Sequence, residues 1–128
     1  MIPADPNRAA IRSFRDLIVW QKAVRLGVEI YAVTRLLPTE ERFGLSQQLR
    51  RAGVSVASNI AEGHARQLRR DYVHFLSMAR GSLAELDTQL EIARESQLLE
   101  ARHTDTVEQL SEEVGRMLTS LIHKLARP

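Results

Sequence analysis

The run RRDYVHFLSMARGSLAELDTQLEIARESQ, residues 69–97, decides the fold. Tyr72, Leu76, Ala79, Leu83, Leu86, Leu90 and Ala93 recur at alternating steps of four and three. That spacing lines one face of a helix with apolar side chains, and over three heptads it makes a packing seam. A seam needs partners, and the flanking sequence supplies them. Leu45, Leu49, Ala52, Val56 and Ile60 predict a helix from about Gly44 to Ala61, ended by Gly63. Gly53, in its middle, is expected to mark a close approach between helices. Val107, Leu110, Val114, Met117, Leu121 and Leu125 predict a last helix from about Asp105 to Ala126, with Thr104 as its cap.

The first helix is expected to start near residue 14, where Ser13 and Asp16 fit a capping box, and to end at Leu37 before Pro38. It carries two apolar rows. One is Val19, Ala23, Leu26, Ile30, Val33 and Leu37; the other is Leu17, Trp20, Val24, Val28 and Tyr31. An outer helix of a monomeric bundle needs only one such stripe. The second row therefore predicts another helix or another subunit against it, with Trp20, Val24 and Val28 as its contact residues. No segment alternates as a strand does. The expected fold is all-α: an antiparallel up-and-down four-helix bundle over residues 14–126, preceded by a loose lead-in at 1–13.

The composition of the 128 residues excludes much else. There is no cysteine, which removes disulfides, thiolate metal sites and thiol nucleophiles. No apolar run is long enough to span a membrane, and the N-terminus has no secretory h-region, so a cytoplasmic location is expected. The net charge is only +2, but it is unevenly distributed. Residues 1–80 carry 13 basic and 7 acidic groups; residues 81–128 carry 5 and 9. All the cations are arginines except Lys22 and Lys124. One face or end is expected to be positive, and arginine's planar fork suits phosphate.

Enzyme chemistry finds little support. His64, His74, His103 and His123 are read as having no partner at helical metal spacing, so a ferritin-like di-iron site is not expected. There is no G-x-S-x-G turn and no glycine-rich phosphate loop. No catalytic residue, metal or cofactor is predicted. On the second helix, Gln48, Arg51, Ser55, Asn59 and Glu62 share one narrow arc, and Ser82, Glu85 and Gln89 offer a matching row on the third. They predict a structural hydrogen-bond network between helices or subunits; a solvated face and a ligand site are the other readings. Arg66, Arg69 and Arg70, flanked by His64 and His74, are the candidate nucleic-acid contacts. Aromatic residues are few and fall mostly in the seams, so base stacking is not expected.

Three motifs carry a resemblance. FRDLIVWQKA at 14–23, GLSQQLRRAGVSVASNIAEG at 44–63 and FLSMARGSLAEL at 75–86 resemble the bacterial four-helix-bundle family encoded in 23S rRNA intervening sequences. TQL at 88–90 and GRMLTSLI at 115–122 fit it as well. The resemblance implies an up-and-down bundle that assembles as a ring, typically a homopentamer, with no known enzymatic activity. It also implies kinship with the accessory protein of diversity-generating retroelements, a basic pentameric bundle that binds nucleic acid and a reverse transcriptase. Two functions follow as expectations. One is an oligomeric scaffold that contacts RNA, or a nucleic-acid-processing partner, through an arginine-rich face. The other is a protein–protein assembly module that binds no nucleic acid.

Overall fold

A computed structural model describes residues 12–127, so residues 1–11 of the expected lead-in at 1–13 lie outside the described residues. Four helices follow one another: α1 (Ile18–Thr34), α2 (Leu45–Ala65), α3 (Arg69–Glu95) and α4 (Ala101–Ala126). They form the expected antiparallel bundle, in which each helix packs against its chain neighbours and α4 closes back onto α1. The predicted seams meet in one core. Leu26, Ile30, Leu49, Ile60, Leu76, Leu86, Leu90 and Leu118 are fully buried in it. Burying a side chain of this size contributes about 1.5–3 kcal/mol.

The helix ends depart from expectation in five places, four of them for a local reason. The Ser13 capping box forms, but it closes a single 3-10 turn, Phe14–Asp16. The Asp16 carboxylate accepts from the Arg12 and Ser13 amides at 2.7 and 3.2 Å. These two bonds hold its pKa below the usual carboxylate range. Leu17 is then extended, and the α-helix begins at Ile18. α1 also ends early, at Thr34. The amides of Leu36 and Leu37 reach back only three residues, to Val33 and Thr34, a tightening that keeps Leu37 in the core ahead of Pro38.

α3 stops at Glu95 rather than Gln97. The Leu98 amide donates to Ala93 O and the Gln97 amide to Arg94 O, both at 2.9 Å, a Schellman closure. Gln97 occupies the left-handed position of that closure at φ 62°, where glycine is usual. α4 begins four residues before the expected Asp105. Thr104 is not its cap: it is wholly buried in the first turn, and its hydroxyl donates to Ala101 O at 3.3 Å. The cap lies at Glu100, whose amide donates to His103 Nδ1 at 3.0 Å. The one E-x-x-H in the chain is thus a helix start.

α2 continues past Gly63 to Ala65, so this glycine does not end the helix. Its role is packing. A Cβ built there would lie 2.8 Å from Phe75 Cβ and 3.2 Å from the Tyr72 carbonyl oxygen of α3. Gly53 does mark a crossing, against α1. A Cβ on its α1 counterpart Gly27 would lie 3.6 Å from Gly53 O, and one on Gly53 would meet Ile30 at an ordinary 3.5 Å. Lys22 ties α1 to α4 through a 2.8 Å ion pair with Glu113, which lowers the Glu113 pKa.

Candidate functional sites: a polar seam, an uncovered row and a basic end

The arc of α2 does turn towards α3, and only part of it forms a network. Ser55 Oγ and Ser82 Oγ share a 2.8 Å hydrogen bond across the two helices. Asn59 Nδ2 donates to Ser55 Oγ and to Ser55 O, both at 2.9 Å, so it braces the seam from within α2. Gln89 Nε2 approaches Gln48 Oε1 at 3.5 Å, and the Gln89 Oε1 atom is buried with no donor. Arg51 and Glu85 border the same cleft without an ion pair between them. Glu62 turns away to Arg66, at 2.9 Å. The inter-helix link is therefore Ser55. Ser55→Ala should lower the unfolding free energy by about 1 kcal/mol, because the buried Ser82 hydroxyl loses its partner. Chemical denaturation measures this; an unchanged midpoint would mean that water replaces the bond without loss.

The second row of α1 splits. Trp20 packs at the edge of the core with Phe14 against it, ring centroids 5.1 Å apart. Further along, no described helix covers the row: Val24 is 38% exposed and Val28 62%. Ile18 is exposed as well.

The cations around the α2–α3 connection converge with others at one end of the bundle. Arg66, Arg69 and Arg70 sit where α2 gives way to α3, and Lys124 and Arg127 lie at the close of α4. Arg12 and Arg15 arrive with the 3-10 turn, which packs on α1 and α2. Among the described residues, Asp16, Glu62 and Asp71 are the carboxylates of this end. Arg66 lies over the Phe75 ring at 5.0 Å as well as bonding Glu62. Arg69 Nη1 donates to Arg127 O at 3.1 Å, across the C-terminus of α4. That contact answers the negative end of the α4 dipole, so Arg69 has a structural use that spacing did not reveal. His64 stacks edge-on against Tyr72, centroids 5.7 Å apart, and is half-buried. His74 is exposed.

Among the described residues no group of His, Asp and Glu side chains is arranged to hold a metal ion, and no helix is long and apolar enough to cross a membrane. The family model for the 23S rRNA-intervening sequence protein matches residues 15–120. The chain belongs to that family. A solved structure from Bacteroides thetaiotaomicron, a protein of unknown function from the S23 ribosomal protein family, is similar to this chain. It is 26% identical, with a TM-score of 0.76, over 82% of this chain and 98% of that one. No curated protein matches. The resemblance to the 23S rRNA intervening-sequence family and the helical fold read from the seams agree with both comparisons.

Proposed function

We propose that this chain is a non-enzymatic cytoplasmic scaffold that assembles as a homo-oligomer, a pentamer by the family resemblance, and contacts RNA through its basic end. The outer row of α1 carries the reading. Val24 and Val28 repeat at helical spacing and remain in solvent, on a helix whose other row already fills the core. A second copy is the economical cover for such a row. Assembly also multiplies charge. In a ring every subunit presents the same end on the same side, and five copies at +2 each carry +10. Weak phosphate contacts at Arg66, Arg69, Arg70, Lys124 and Arg127 then add by avidity.

Phosphate contacts weaken as salt rises, so binding of a single-stranded RNA should fall steeply between about 50 and 200 mM salt. Reversing Arg69 and Arg70 to Glu should lower RNA affinity at least tenfold at the lower salt. The Arg69 cap on α4 is solvent-exposed, so its loss costs under about 1 kcal/mol and the helical circular dichroism should persist. A folded double variant that binds RNA as the wild type does would remove the basic end from the site. In the alternative, a pure assembly module, the oligomer forms and neither protein binds RNA at low salt.

A further inference from the structure

At the opposite end of the bundle, a second cationic surface lies in the groove between α1 and α2. Its volume is about 510 Å³, and it is bordered by Tyr31, Arg42, Phe43, Arg50, Arg51 and Val54. No carboxylate lines it. Glu41, the nearest carboxylate in sequence, accepts from the Leu45 amide at 3.1 Å and so closes the start of α2.

Arg50 is held rather than loose. Its Nε donates to Thr34 Oγ1 at 2.8 Å, and that hydroxyl donates in turn to Tyr31 O at 2.9 Å. Thr34 is 3% exposed, so the anchor is buried. The guanidinium also lies over the Tyr31 ring, 4.7 Å from its centroid. Its Nε is thereby used inward, and its two terminal nitrogens are free of carboxylates among the described residues. Arg42 lies 5.0 Å over the Phe43 ring, which nevertheless remains 80% exposed. Tyr31 is 38% exposed. The other four rings, Phe14, Trp20, Tyr72 and Phe75, are half-buried, but these two stand in a groove among three arginines.

An exposed phenyl ring costs solubility and contributes nothing to the core. Guanidinium groups fixed beside aromatic faces, with no acid to neutralise them, match a ligand that has both a planar ring and an anion. Single-stranded RNA supplies both: a base to lie on Phe43, and phosphates for Arg42, Arg50 and Arg51. We propose that this groove is a single-stranded RNA site, in which Phe43 is the stacking platform and Arg50 the fixed phosphate contact. It shares only the class of ligand with the basic end, which lies at the far end of the helices.

The test compares two fluorescent probes at about 50 mM salt: an oligoadenylate and an abasic oligomer of the same length and charge. Phe43→Ala should weaken the oligoadenylate about tenfold and leave the abasic strand unchanged, because it removes stacking alone. Arg50→Ala should weaken both, and Arg50→Lys, which keeps the charge but loses the fork, should recover only part. The double reversal at Arg69 and Arg70 should leave the Phe43 effect intact. If Phe43→Ala binds both probes as the wild type does, or if the wild type binds neither, the groove is not an RNA site. If Phe43→Ala instead lowers the solution mass, the groove is an interface between copies and the proposal fails. Phe43 is a surface residue, so its variant is expected to fold, and circular dichroism checks this.

Discussion

Gly63→Ala should lower the thermal midpoint by about 8 °C, a loss of about 2 kcal/mol for a chain of this size. The new methyl carbon would stand 2.8 Å from Phe75 Cβ, 3.1 Å from Tyr72 Cδ1 and 3.2 Å from the Tyr72 carbonyl oxygen. Phe75 Cβ is fixed to the α3 backbone and the Tyr72 carbonyl oxygen belongs to it, so α3 itself must move. Tyr72 and Phe75 have little freedom to yield, since His64 packs on the Tyr72 ring and Arg66 on the Phe75 ring. The loss outweighs the helix propensity that alanine gains over glycine, at most about 1 kcal/mol. Gly53→Ala is the control. Its methyl carbon would meet Ile30 at 3.5 Å, in ordinary contact, so the midpoint should hold or rise. Equal effects from the two variants would show that α2 and α3 are not packed at Gly63 as described.

Val28→Glu should dissociate the assembly and leave the subunit folded. At 62% exposure Val28 contributes little to its own bundle, and a carboxylate there is hydrated in the free subunit. In the proposed contact between copies the same group would be buried without a partner, at a cost of several kcal/mol. Val24→Glu is expected to act in the same direction. The readout is mass together with helical circular dichroism. A Val28→Glu protein that keeps the wild-type mass would place the contact between copies elsewhere.

The four seams were legible because each is long and periodic, and every seam residue from Val19 to Leu125 belongs to the core or its margin. Helix ends were less legible because competing local bonds decide them. Thr104 reads as a cap by residue type, yet its hydroxyl bonds a carbonyl within the first turn. Gln97 sits where a glycine would have signalled the end of α3. Gly63 reads as a stop, but what it permits is the approach of α3, a tertiary fact invisible in α2 alone.

The polar arc was half legible. Helical spacing brought Ser55 and Asn59 to the α3 side, where Ser82 is in reach. It could not say that Glu62 would prefer Arg66, four residues on. The aromatic groove was missed because Tyr31 belongs to an apolar row and Phe43 follows Arg42 in a connection. Only the fold shows that α1 and α2 bring both rings beside Arg50. A weak signal was present: Phe43 lies outside every seam.

The solution mass of the wild-type protein, measured by light scattering across micromolar concentrations, tests the central claim most directly. An assembling scaffold predicts a single species at a whole multiple of the 14.5 kDa subunit, five for a pentameric ring. A 14.5 kDa monomer at every concentration would contradict it, and would leave Val24 and Val28 without the partner copy on which the account rests.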